Sequence, residues 1–100
     1  MFLFIGFISP SITYDYVVDS FHDTFGVDVQ VTFSKIQRNQ CGTQYKSATI
    51  QVTNSTREMG RFIMEIQKHG FNQFNHSKND TWNVKIKDDF VIPTQPKIIF

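Results

Sequence analysis

The sequence has little of what many small functional sites are built from. Its 100 residues include a single cysteine, Cys41, which excludes an intramolecular disulfide and a cysteine-based zinc site. The five glycines are scattered, so there is no glycine-rich loop to hold a phosphate. No stretch approaches the ~18 apolar residues needed to cross a bilayer. We therefore expect no metal, no cofactor and no membrane contact.

An excess of charge of one sign is also missing. Ten Lys and Arg against nine Asp and Glu give a formal net charge of +1. General polyanion binders usually carry a strong basic excess, so any affinity for nucleic acid has to come from local placement of charge. What the chain does have is 40% hydrophobic residues, including 11 Phe. That composition and length predict one folded domain with a single core.

The chain opens with a short apolar run, MFLFIGFI, which ends at Ser9-Pro10-Ser11. Such a run is either a buried strand or the hydrophobic part of an export signal. A signal peptide has a positively charged first region and a small-residue cleavage site, and this segment has neither. We therefore predict a strand and, given the unpaired cysteine, a cytoplasmic or nuclear location.

The segment after this strand has the spacing of a helix. Apolar residues recur every three or four positions at Tyr14, Val17, Val18, Phe21 and Phe25. Ser9 or Ser11 is expected to cap the helix and Gly26 to end it. The opposite face carries aspartates four residues apart, namely Asp15, Asp19 and Asp23. This acidic stripe is typical of a solvated helix face, with an interaction surface as the alternative.

Alternation of apolar and polar residues predicts two strands joined by a long polar loop. The first runs from Val27 to Phe33, and the loop extends from Ser34 to about Gln44. In the second strand, Ala48, Ile50 and Val52 lie on one face, and Tyr45, Ser47, Thr49 and Gln51 lie on the other.

A second helix and a final strand complete the pattern. Ser55 and Glu58 have the spacing of a capping box at the helix start. The buried stripe is predicted to be Met59, Phe62, Ile63 and Ile66, with Gly70 at the helix end. Residues 71–80 are polar and are predicted to form a loop with Phe71 and Phe74 tucked against the core. The last strand alternates from Trp82 to Lys87.

The predicted order is strand, helix, strand, strand, helix, strand. In one α+β domain, this order is typical of the ferredoxin-like βαββαβ split sandwich, a four-stranded antiparallel sheet with two helices on one face. Residues 1–87 form this domain. Residues 88–100 contain Pro93 and Pro96 and two apolar clusters, and they are predicted to form an extended tail.

The other face of the predicted sheet is open. Because the apolar register of each strand has to point at the helices, the alternate residues can be assigned to this face. They are Phe2, Phe4, Asp28, Gln30, Thr32, Tyr45, Ser47, Thr49, Gln51, Asn83, Lys85 and Lys87.

Several segments resemble the RNA recognition motif family. LFIGFI, at residues 3–8, is similar to the family's first signature, an aliphatic-aromatic-aliphatic run followed by Gly. The helix that closes on Phe25-Gly26 and the strand WNVKIK, at residues 82–87, resemble the family's first helix and last strand. The second signature, K/R-G-F/Y-G/A-F-V-x-F/Y, carries base-stacking aromatics. Here YKSATIQV, at residues 45–52, has Ser47 and Thr49 in place of the two exposed aromatics.

The resemblance implies that the open face binds single-stranded RNA. Phe4 would stack on one base, with Phe2 or Tyr45 as a second platform. Phosphates would be contacted by Lys85 and Lys87, joined by Lys46, Lys35 or Arg38 from nearby loops. The residues assigned to RNA are Phe2, Phe4, Tyr45, Lys46, Ser47, Thr49, Lys85 and Lys87.

Protein interaction and catalysis are the alternatives to RNA binding. The same fold can serve as a protein-interaction or structural assembly module, in which the apolar tail docks on Phe4 or on a neighbouring protein. An enzyme is not expected, because neither Cys41 nor any of the three histidines has a catalytic or metal-ligand partner at a recognisable spacing. His22, His69 and His76 are predicted to be surface residues.

Overall fold

The computed structural model describes residues 1–87, and the predicted tail lies outside them. Residues 1–87 form two helices and an antiparallel sheet of six strands. Neither helix in the described part is long and apolar enough to span a membrane. The elements are β1 (Phe2–Ile8), α1 (Tyr14–Phe25), β2 (Val29–Phe33), β3 (Gln37–Arg38), β4 (Gln44–Val52), α2 (Arg57–His69), β5 (Asn72–Ser77) and β6 (Asp80–Ile86).

The sheet has the strand order β2-β4-β1-β6-β5, and the short β3 pairs with β4. All the pairings are antiparallel. The α+β class and the four predicted strands are therefore present, as β1, β2, β4 and β6. The predicted total of four strands is wrong, because β3 lies within the predicted loop and β5 is added at one edge.

The strand β5 occupies most of the segment that was predicted to be a loop. It pairs with β6 through Phe74 and Trp82, and Lys78-Asn79 form the turn between them. Phe74 is buried as predicted, whereas Phe71 is 43% exposed, so its predicted position against the core is wrong. A strand that contains one apolar residue among polar ones lacks the period-two hydrophobic signal on which the prediction depended.

One core lies between the helices and the sheet. Neighbouring strands place buried residues opposite each other, as in Leu3 with Ile50 and Phe74 with Trp82. The helices contribute Val17, Phe21 and Phe25 from α1 and Met59, Phe62 and Ile66 from α2. The predicted helix stripes are thus confirmed, except that Tyr14 is 45% exposed. Both helices pack on the same set of alternate strand residues, which leaves the opposite sheet face without a helix in the described part of the chain.

Both helices begin at threonines rather than at the predicted serines. The Thr13 hydroxyl accepts the Tyr16 backbone N–H at 3.2 Å, because Ser9 and Ser11 are used in the preceding turn. At α2 the Thr56 hydroxyl accepts the Met59 N–H at 3.1 Å, so the predicted capping box is wrong. The same hydroxyl donates to the Phe25 carbonyl at 2.6 Å and ties the end of α1 to the start of α2.

The helix C-termini lie at Gly26 and Gly70, as predicted. Gly26 has φ 69° and ψ 23°, a left-handed conformation that disfavours any residue with a Cβ.

We expect Gly26→Ala to lower the free energy of unfolding by about 1–2 kcal/mol, measured by urea denaturation. Gly60→Ala is the matched control, because it lies inside α2 and its Cβ would meet nothing within 4 Å. That change should raise stability by about 0.5–1 kcal/mol, and equal effects at the two sites would contradict the expectation.

Candidate nucleic-acid interface

Phe4 lies at the centre of the open face. It stands in β1 between Thr49 of β4 and Lys85 of β6, and its side chain is half-buried. The Lys87 ammonium lies 5.7 Å from the centre of the Phe4 ring and donates to the Thr49 hydroxyl at 3.2 Å. Phe2, also half-buried, is one alternate position along β1. Five of the residues assigned to RNA therefore lie together on this face, namely Phe2, Phe4, Thr49, Lys85 and Lys87.

A depression of about 360 Å³ lies beside Phe4. Its lining residues are Phe4, Gly6, Phe7, Thr81, Asn83 and Lys85. Aromatic rings from β1 form one side of it, and polar side chains from β6 form the other. A Cβ at Gly6 would lie 3.3 Å from the Phe4 ring, so glycine keeps this ring uncrowded. The depression thus combines a flat apolar surface with the hydrogen-bonding groups of Asn83 and Lys85.

A β-bulge in β1 adds Phe7 to the open face. Ile5 pairs with Ala48 and Ile8 pairs with Lys46, so three steps along β1 match two along β4. Strict alternation would have placed Phe7 in the core, yet its side chain is 55% exposed. The one sequence signal for the bulge is Gly6, because an isolated glycine inside a strand often marks such an irregularity.

Phe7 forms a second aromatic group with Tyr45. Their rings are stacked, with centroids 4.9 Å apart and planes inclined by 15°. The Tyr45 hydroxyl donates to Gln37 Oε1 at 3.1 Å, which fixes the ring against the β3–β4 hairpin. Ser47 is half-buried, and its backbone N–H bonds to the Ser34 hydroxyl at 2.9 Å. Tyr45 therefore stacks on Phe7, a residue outside the predicted set.

Lys46 lies on the other side of the sheet. It is 9% exposed, its ammonium donates to the Ile12 carbonyl at 2.6 Å, and it stands 3.8 Å from the centre of the Phe33 ring. The position follows from alternation along β4, because Lys46 shares its face with the buried Ala48 and Ile50. Lys46 was predicted to contact phosphates from a nearby loop, but it lies in β4 with its side chain on the side opposite the open face.

His76 is buried behind the interface, so its prediction as a surface residue is wrong. Its side chain is 2% exposed and its ring stacks on Trp82, with centroids 3.8 Å apart. Nδ1 lies 2.9 Å from the Tyr16 hydroxyl, and Nε2 lies 3.0 Å from an Asp80 carboxylate oxygen. This cluster joins the β5–β6 hairpin to α1 and so supports the strand that carries Asn83 and Lys85.

Comparison of the chain with family models, with curated proteins and with solved structures gave no match. Within residues 1–87, no three His, Cys, Asp or Glu side chains are grouped in a way that would hold a metal ion.

Proposed function

We propose that this chain binds single-stranded RNA on the open face of a sheet of the RNA recognition motif type. The strands β2-β4-β1-β6 and the two helices then form a ferredoxin-like split sandwich, with β3 and β5 as additions. The observation that carries the proposal is the half-buried Phe4 with Lys85 and Lys87 beside it, at the edge of a depression.

The depression is of a size that suits one nucleotide. Its volume of about 360 Å³ is at the small end of ligand pockets. A base stacked on Phe4 would gain about 1–3 kcal/mol, as base–aromatic contacts do in single-strand binders. Asn83 would offer an amide donor and acceptor to the base edge, and the Lys85 ammonium would donate to a base carbonyl or to a phosphate.

Few cations surround the site within residues 1–87, so binding should be weak and dependent on salt. If Lys85 and Lys87 each neutralise one phosphate, the logarithm of the affinity should fall with the logarithm of salt concentration with a slope of about −1.4. Lys35 and Arg38 are exposed and close in sequence to β3. A steeper slope would indicate that they also take part.

A protein partner on the same face is the second candidate. The observation in its favour is the exposed, stacked pair of Phe7 and Tyr45, since aromatic residues are enriched in protein interfaces. The alternative in which the tail docks on Phe4 falls on residues 88–100, outside the described part of the chain.

Amide NMR would test the proposal directly. The full chain is titrated with short random single-stranded RNA at low and at moderate salt. Shifts that cluster on Phe4, Thr49, Asn83 and Lys85 and weaken with salt would support RNA binding on this face. Unchanged spectra, or shifts confined to the helices, would contradict it and leave the protein-interaction candidate.

Removal of one lysine should change the affinity and its salt dependence together. We expect Lys85→Met to weaken RNA binding by about two- to fivefold, the value of an exposed ion pair. The salt slope should become shallower by about 0.7. Lys68→Met is the matched control, because this exposed lysine lies on α2, on the other side of the sheet. An equal effect of both changes, measured by fluorescence anisotropy, would point to general charge attraction instead.

A further inference from the structure

The outer face of α1 is acidic. Its buried residues, Val17, Phe21 and Phe25, define the inner side of the helix. The acidic stripe consists of Asp15, Asp19 and Asp23, which follow each other at four-residue intervals and are all exposed. At 100° per residue this stripe points away from the core and the sheet.

The outer face of α2 is basic. The basic stripe consists of Arg57, Arg61, Met64 and Lys68, spaced by four, three and four residues. All four are exposed, Met64 to 61%, and they lie opposite the buried Met59, Phe62 and Ile66. One exposed apolar side chain, Met64, thus stands within a row of cations.

The two helices lie side by side. Phe25 and Phe62 pack with ring centroids 4.8 Å apart, and the Thr56 hydroxyl bonds to the Phe25 carbonyl. Within residues 1–87, the ion pairs each involve a histidine, and none joins the acidic stripe to the basic stripe. The helix layer therefore presents adjacent bands of opposite charge, with no salt bridge between them in the described chain.

We propose that this helix layer is the docking surface for a second copy of the chain. A two-fold axis parallel to the helices places the acidic stripe of each copy over the basic stripe of the other, so both charge bands are matched at once. An axis across the helices would instead bring like charges together. Met64 of each copy lies within the contact and loses its exposed apolar area.

The dimer has the properties of an interface made mainly by exposed ion pairs. Such pairs are individually weak and are screened by salt, so association should be seen at high protein concentration and low ionic strength. The open sheet face stays free in this arrangement. The inference is thus independent of RNA binding, and either one can fail without the other.

Charge reversal tests the pairing. One variant carries Asp19→Lys with Asp23→Lys, and the other carries Arg61→Glu with Lys68→Glu. By sedimentation equilibrium at low salt, we expect each variant alone to dimerise at least about tenfold more weakly than the wild type. An equimolar mixture should recover the dimer, because the reversed α1 of one variant then faces the reversed α2 of the other.

A third variant, Lys78→Glu with Lys85→Glu, is the matched control, since it changes net charge as the α2 variant does but away from the helix layer. Because its helix layer is that of the wild type, this variant should dimerise as the wild type does. Circular dichroism checks that each variant is folded. Three results would overturn the proposal: a wild type that is monomeric up to about 1 mM at low salt, a mixture of the α1 and α2 variants that does not recover the dimer, or a control variant that dimerises as weakly as the α2 variant.

Discussion

Replacing Trp82 with alanine is expected to lower the free energy of unfolding by about 3–5 kcal/mol, the usual cost of removing a large buried aromatic side chain. Trp82 is 1% exposed and its ring contacts Phe74, His76 and Tyr16. These partners come from β5 and α1, so the cavity would open where the edge hairpin meets the first helix. Small domains have only about 5–15 kcal/mol of stability in total, so much of it would be lost.

Urea denaturation followed by circular dichroism measures this effect. Met64→Ala is the control, because Met64 is 61% exposed on α2. This substitution should change the free energy of unfolding by no more than about 0.5 kcal/mol. Trp82→Phe should lower the free energy of unfolding less than Trp82→Ala does, since a smaller ring still fills part of the space. If Trp82→Ala were no worse than Met64→Ala, the packing of β5 against the core would be wrong.

The sequence predicted the elements whose hydrophobic periodicity is strong. The helix stripes of Phe21 and Phe62 and the alternation around Ile50 all lie in the core as expected. The strand β5 was missed because Phe74 is its one apolar residue, and its pairing depends on Trp82 in the neighbouring strand. Such a strand is specified by tertiary contact rather than by its own residues.

The candidate site was predicted where alternation is regular and missed where it is not. Phe4, Thr49 and Lys85 come together because β1, β4 and β6 keep register over these positions. The bulge after Ile5 then turns Phe7 outward, and a period-two pattern carries no information about an inserted residue.

The two unexpected burials have a different cause. Alternation along β4 puts Lys46 on the core side, whereas its charge favours an exposed position. It can be buried because its ammonium donates a hydrogen bond to the carbonyl of Ile12. His76 is covered in the same way, by the Trp82 ring and the Tyr16 hydroxyl. Ile12 and Tyr16 are distant in the chain from the residues that they cover, so neither burial follows from local sequence alone.

The open face and the helix layer lie on opposite sides of the molecule. A dimer formed through α1 and α2 would therefore present two open sheet faces outward. If each face binds RNA, a strand long enough to reach both would be held with a higher apparent affinity than a short one. The charge-reversed variants would then bind short and long oligonucleotides with the same affinity, whereas the wild type would bind the long ones more tightly.

Replacing Phe4 with alanine is expected to weaken the binding of single-stranded RNA by roughly 5- to 150-fold, which corresponds to one stacking contact of about 1–3 kcal/mol. The reason is geometric: Phe4 forms one side of the depression and lies beneath the Lys87 ammonium. Fluorescence anisotropy with a short labelled RNA measures the change at fixed low salt.

Further variants separate stacking from packing. Phe4 is half-buried between Thr49 and Lys85, so its loss also removes some apolar contact. Phe4→Leu keeps most of that contact and removes the flat ring, so it should bind RNA nearly as weakly as Phe4→Ala while staying closer to wild-type stability. Phe4→Tyr keeps the ring and should restore most of the affinity. Phe71→Ala removes an exposed aromatic residue outside the depression and should change nothing. Wild-type affinity in Phe4→Leu would show that RNA, if bound, does not stack on this ring.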